Sequence, residues 1–346
     1  AQKLKFGNGT WATKKGSTLA YNDENNNYKP LPFSFTRDSI ATRVNKEGLI
    51  EVVGNDKPRI DYTDSAEGVL LLEPSRTNYV LLSNDFSGWF KSGTINVTSN
   101  YGVSPTGENN STLLNFSGAN NRLYLNTGAA YANDSVSIYV KGIAGETISF
   151  DKSASIGAGK LFTLTGGWDR LESSYDSLSS SRVNIVISTN GGATARIIEV
   201  FGIQNEQGSY PTSYIPTSGS SVQRAAETCN GAGNSEVFND SEGVLFADIA
   251  ANSKGGGYKL ISLTDSTSGN SFISIGMMNN TTQSYKQIRF SGVNLFPDFT
   301  DDINQTSFNK IAIKYKSGDS SFYVNGFEID SSSVTYTPNA AMSELK

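Results

Sequence analysis

Two groups of carboxylates could do acid–base or metal chemistry. Glu328-Ile329-Asp330 places two acids on one face of an extended segment, and Asp298, Asp301 and Asp302 crowd one short stretch beside Phe296 and Phe299. Glycoside hydrolysis uses two carboxyl groups about 5–10 Å apart. Ser331-Ser332-Ser333 follows Asp330, so Glu328 and Asp330 read as surface residues of a hairpin. Asp298, Asp301 and Asp302 read as a solvated loop or a weak calcium site. No EF-hand spacing surrounds them, and calcium is the one cofactor left open. Histidine is absent, which removes Ser-His-Asp and Cys-His nucleophiles and His-based zinc or iron centres. Acid–base work would fall to carboxylates, Tyr or Lys. The single cysteine, Cys229, excludes an internal disulfide and a cysteine metal cluster, and reads as a free thiol in a linker.

Sugar binding asks for less: an aromatic face against the apolar side of a pyranose, with polar groups nearby for the hydroxyls. Tyr139 and Lys141 share the strand face opposite Val136, Ile138 and Val140, and Arg122 and Tyr124 share a face of the strand after Asn120-Asn121. These four are the candidate glycan-binding residues. The other reading of either pair is a plain solvent face, or one packed on a neighbouring domain or subunit. Trp11 lies in an irregular stretch and suits local packing or a partner contact.

The elements that must carry these residues are strands. Ser135–Lys141, Arg182–Ser188, Arg196–Gln204 and Ile311–Lys316 alternate apolar and polar residues, and no helix-period stretch exceeds about two turns. Asn325-Gly326 between Phe322–Val324 and Phe327–Ile329 predicts a tight hairpin. The expected fold class is all-β, with a jelly-roll β-sandwich followed by a concanavalin-like β-sandwich and an irregular N-terminal segment. The boundaries read as 1–66 irregular with short strands, 67–216 jelly roll, 217–235 a Ser/Gly/Ala-rich linker, and 236–346 the second sandwich. The 346 residues include 18 Phe and 16 Tyr, enough for real cores. The net charge of −5 argues against a duplex nucleic-acid partner. No apolar run reaches the ~18 residues of a membrane helix, so no membrane insertion is expected.

Several motifs in series carry a resemblance. Phe35-Thr36-Arg37-Asp38-Ser39-Ile40-Ala41-Thr42-Arg43-Val44 is followed by Gly48-Leu49-Ile50-Glu51, Pro58-Arg59-Ile60-Asp61-Tyr62 and Leu70-Leu71-Leu72-Glu73-Pro74-Ser75-Arg76-Thr77-Asn78. Ser83-Asn84-Asp85-Phe86-Ser87-Gly88-Trp89, Gly166-Gly167-Trp168-Asp169-Arg170-Leu171, the run from Gln204 to Pro216, and Val222-Gln223-Arg224-Ala225-Ala226 complete the series. Over residues 35 to 226 it resembles a module common in tailed-phage and prophage structural and tail-fibre proteins. The resemblance implies a carbohydrate-module-like jelly roll with Trp89 and Trp168 as core residues near strand starts. In that setting Arg76 and Asn78 would tie the incoming chain to the domain through backbone carbonyls, and 210–216 would be an extended exit segment lying across it. The last segment is similar to the concanavalin-like laminin-G sandwich through Glu242-Gly243-Val244-Leu245-Phe246-Ala247-Asp248, Phe308–Tyr315 and Phe322–Gly326. Concanavalin-like hydrolases carry a third acid after a pair such as Glu328 and Asp330, and here it is missing. The implied function is non-enzymatic: a virion-surface or extracellular structural and adhesion protein that binds glycans and self-assembles. The alternatives are a polysaccharide hydrolase or lyase, and an assembly subunit with no ligand.

Overall fold

A computed structural model describes the backbone of residues 11–14, 18–22, 28–128, 131–153, 159–175, 183–189, 195–233, 235, 238–253, 257–265, 271–278, 283–290, 293–296, 299–337 and 341–346. Side chains are described from residue 34 onward, except at 290, 293 and 299–302. The described residues form strands and no helix, as the alternation requires. Two compact units result: Ala1–Trp11 with Thr36–Glu227, and Ala12–Phe35 together with Thr228–Lys346.

The first unit is a sandwich of ten strands: β1 (Phe90–Ser92), β2 (Ile95–Thr98), β3 (Thr112–Phe116), β4 (Arg122–Asn126), β5 (Asp134–Lys141), β6 (Thr147–Ser153), β7 (Lys160–Thr163), β8 (Trp168–Tyr175), β9 (Asn184–Ser188) and β10 (Arg196–Gln207). One sheet has the order β2-β3-β10-β5-β8 and the other β7-β6-β9-β4-β1. From β3 to β6 each successive strand changes sheet. Ile95, Leu114, Phe116, Val136, Ile138, Val140, Leu171, Ile198 and Val200 face Leu123, Ile148, Phe150, Ile185 and Ile187 across one buried core. Burying each large side chain contributes about 1.5–3 kcal/mol. Trp89 joins this core beside Phe86, with ring centroids 5.1 Å apart.

β10 changes phase at a bulge. Ser137 pairs with Gln204 but Tyr139 pairs with Phe201, so β10 holds one extra residue there. Gly202 supplies it, with φ of +65°, a left-handed conformation that favours glycine. Before the bulge Ile198 and Val200 point into the core, and after it Ile203 does. The bulge also frees two amides: Gly202 N–H donates to Asn84 Oδ1 and Ile203 N–H to the Ser83 carbonyl, each at 2.9 Å.

Residues 36–66, expected to be irregular with short strands, contribute paired strands to this unit. Ala41–Val44 pairs with Ile50–Val53, and Arg59–Asp61 with Val69–Leu71. Ile50 and Val44 then pack on Phe201, Tyr214, Tyr139 and Trp168, which closes the outer side of the β5–β10 sheet. The stretch 217–235 is not a free linker. Val222–Arg224 pairs in register with Arg76–Asn78, while Thr228–Asn230 pairs beside Tyr28–Thr36 in the second unit. At Val222–Arg224 and Thr228–Asn230 this polar run pairs with strands, so those stretches are ordered despite their composition.

The second unit has its own sheets. Trp11–Lys14, Thr18–Asn22, Tyr28–Thr36 and Thr228–Asn230 form one in that order. The Trp11 side chain lies outside the described residues. Glu242–Ile249, Asn309–Lys316, Ser320–Val324 and Phe327–Ser332 form a second, again in order. A third runs Val293–Asn294, Gln283–Phe290, Phe272–Met277, Lys259–Thr264, Glu344–Leu345. Ala247, Ile311, Ile313, Phe322 and Val324 meet Leu263, Ile273, Ile275, Met277 and Ile288 in the core between these last two sheets. The Asn325-Gly326 hairpin forms as predicted, with φ of +51° and +90° at its two central residues.

Candidate functional site: an exposed aromatic edge on the first sandwich

The site is built on β1 and β4, at the edge of one sheet. Leu123 points into the core, so Arg122 and Tyr124 point outward. Phe90 is paired with Tyr124 in register, and Ser92 with Arg122. The Phe90 and Tyr124 rings stack with centroids 5.4 Å apart and planes 25° apart. Phe90 is 58 % exposed, while Tyr124 and Arg122 are half-buried. Farther in, Val186 and Ser188 lie opposite Tyr124 and Arg122 and are buried. The accessible part of this face is therefore its β1 edge.

Asn121 holds that edge in place. Its Nδ2 donates to the Thr94 carbonyl at 2.9 Å. Gly93, with φ of +93°, lets the chain turn tightly past it, and a Cβ there would lie 2.0 Å from Asn121 Oδ1. The face thus offers an aromatic surface, a phenol and a guanidinium on rigid strands, a combination suited to stacking on a sugar and bonding its hydroxyls. The sequence singled out Arg122 and Tyr124 but missed Phe90. Phe90 is far from them along the chain, and only the β1–β4 register reveals it.

The other predicted pair is differently placed. Tyr139 does point away from the core, but onto a covered surface. Its ring lies 6.3 Å from Phe201, with the Arg170 guanidinium 5.6 Å from its centroid. Burial pushes its hydroxyl up from the usual range. Lys141 Nζ reaches Glu199 Oε1 at 3.2 Å and lies 6.0 Å from the centre of the Trp168 ring. Trp168, expected in the core, is half-buried on this outer side and donates from Nε1 to the Val103 carbonyl at 3.3 Å. The chain's own Val44, Ile50 and Tyr214 occupy the surface that a glycan would need.

Beside that covered face is a buried ionic centre that the sequence did not reveal as a unit. Arg37, Arg59 and Arg224 are among the largest fully buried side chains. Arg59 Nη2 contacts Glu73 Oε2 at 2.8 Å and Glu227 Oε2 at 2.5 Å, Arg37 Nη1 contacts Glu227 Oε1 at 2.8 Å, and Arg224 Nη1 contacts Glu73 Oε2 at 3.0 Å. Burial alone would raise the Glu73 carboxyl. Arg224 and Arg59, with two hydrogen bonds from Ser213, outweigh it and hold the group at about 2. The centre has no exposed face, so its work is to clamp the chain. Asn78 does the same without charge, donating to the Ile203 and Ile215 carbonyls at 3.3 and 2.9 Å. The Arg76 guanidinium donates from Nη1 to the Ser75 carbonyl at 3.3 Å and lies 5.3 Å from the centre of the Tyr210 ring. Residues 212–215 lie across the domain as expected, with Thr212 N–H on Glu206 Oε1 at 2.8 Å and Ile215 N–H on Gln204 Oε1 at 2.6 Å.

Lys152 Nζ is buried against Asp134 and Asn205. Burial lowers the affinity of this ammonium for its proton, and Asp134 opposes that effect. In the second unit, Asp330 is no simple surface residue: its Oδ2 accepts from buried Lys286 at 2.7 Å. Glu328 accepts from the Tyr323 hydroxyl at 2.8 Å. These two acids serve different partners and do not converge. Of the calcium candidates, Asp298 lies outside the described residues, and Asp301 and Asp302 are described only as backbone of the Phe299–Asp302 strand. Among the described residues no three metal-ligating side chains gather. No described helix is long and apolar enough to cross a membrane. In comparisons with known proteins, no family model matches the chain and no curated protein sequence matches it.

Proposed function

We propose that the chain is a non-enzymatic, glycan-binding structural and adhesion protein that self-assembles on a virion or other extracellular surface. The observation that carries the reading is the exposed Phe90–Tyr124 stack beside Arg122 on a rigid sheet edge. The strand orders of the first unit, with neighbours drawn from distant parts of the chain, support a jelly roll. The two facing sheets of the second unit support a concanavalin-like sandwich. The motif series from Phe35 to Ala226 supports the phage-module resemblance. Function lives in the site rather than in the fold, and the aromatic edge has its own test.

A glycan array probed with the purified chain provides it. The expected outcome is a signal on a defined set of glycans that Tyr124→Ala and Arg122→Ala weaken. No signal from a folded wild-type chain would overturn the glycan reading. Shortened oligosaccharides released from the array would favour a hydrolase or lyase instead.

A further inference from the structure

The second unit carries an apolar stripe that the glycan reading does not use. Glu242–Ile249 is an edge strand whose alternate residues leave the core. Val244 is 64 % and Phe246 58 % exposed. Across the sheet the register aligns Phe246 with Ala312, Ala312 with Tyr323 and Tyr323 with Glu328, and places Lys314 beside Val244. Lys314 turns aside to Asp319 at 2.7 Å, and Tyr323 is held by its bond to Glu328. The stripe therefore presents Val244, Phe246, Ala312 and the Tyr323 ring. Each end of it is closed by a cross-strand pair of opposite charges. Glu242 bonds Lys316 at 2.8 Å at one end, and Asp248 lies opposite Lys310 at the other.

We propose that this sheet face is an isologous interface, covered by the same face of a second copy of the chain. Two observations favour a second copy over an unrelated partner. Each end of the stripe holds both an acid and a base, so a two-fold-related copy can set acid against base at both ends. The size also suits. Four strands about 4.8 Å apart, of eight, eight, five and six residues at about 3.4 Å each, make a face of about 450 Å². Two such faces bury about 900 Å², close to the size at which specific association begins, about 1,000 Å². Face-to-face packing of two sheets is an ordinary way to bury such a stripe.

This inference rests on the self-assembly half of the proposed function, and the test separates the two. Sedimentation velocity on the full chain should show a dimer. Val244→Asp/Phe246→Asp should halve the mass at the same concentration, with an unchanged circular-dichroism spectrum. Ile143→Asp is the control. Ile143 is 65 % exposed on the other unit, and the change should leave the dimer intact. A monomeric wild type would overturn both the interface and self-assembly. An assembly that survives the double substitution would overturn this interface and leave self-assembly standing. Dissociation by Ile143→Asp as well would overturn the specific face in favour of a general charge effect.

Discussion

At the scale of single residues, charge buried in the first unit carries the largest energies. Removing one partner of a buried ion pair costs about 3–5 kcal/mol, because the other is left uncompensated. Glu73→Gln should therefore destabilise the first unit by that order, measured by chemical denaturation. The pH dependence follows from the same residue. Glu73 is held at about 2 against an ordinary 4.5, so its contribution is complete above the unfolded value and is lost as pH falls from about 4.5 toward 2. The wild type should lose about 3 kcal/mol more than Glu73→Gln across that window. Equal slopes would show that the fold does not hold the Glu73 carboxyl below its unfolded value. Cys229 gives a second check. Burial pushes its thiol up to about 11, so it should alkylate about a hundredfold more slowly at pH 8 than an unhindered thiol. The structural role of Asn78 was legible in the sequence, since a short amide beside Pro74 and Arg76 suits backbone bonding. The ionic centre was not. Arg37 and Glu227 are 190 positions apart, and an isolated Arg or Glu in a sequence carries no mark of its partner.

At the scale of elements, strands and the Asn325-Gly326 turn were legible because alternation and left-handed turn residues are local signals. The bulge was not. Gly202 is one of 34 glycines, and only the register of β5 against β10 shows why it is needed. A Cβ there would come within 3.2 Å of the Tyr214 ring and 3.3 Å of the Tyr139 ring, at φ +65°. Gly202→Val should cost about 2 kcal/mol or more and speed amide exchange at Ile203. Unchanged exchange would contradict the bulge. The same limit hid the aromatic edge. Arg122 and Tyr124 are neighbours in the sequence, but Phe90 reaches them only through strand pairing. Composition also misled over part of 217–235, where Ser, Gly and Ala suggested a linker, although the pairing of Val222–Arg224 with Arg76–Asn78 and the buried Arg224 and Glu227 make 222–227 a clamp.

At the scale of the whole molecule, the all-β class and the presence of two sandwiches were legible, and the path of the chain between them was not. Residues 12–35 belong with the C-terminal unit, and Ala1–Trp11 with Thr36–Glu227 form the other, so the N-terminal segment is shared between units. Hydrophobic alternation reports that a strand has a buried face, but not which sheet supplies it. The same holds for Tyr139 and Tyr124. Both lie on outward faces of the first sandwich, yet one is covered by the chain's own hairpin and the other borders an open edge.

We propose that this open edge binds sugar. It is tested most directly by titrating the best oligosaccharide from the array into the wild type and into Phe90→Ala/Tyr124→Ala, with circular dichroism to confirm the fold. Losing the aromatic surface should weaken binding at least tenfold, about 1.4 kcal/mol or more. Equal affinity in a folded double variant would contradict the account and place any glycan site elsewhere on the molecule.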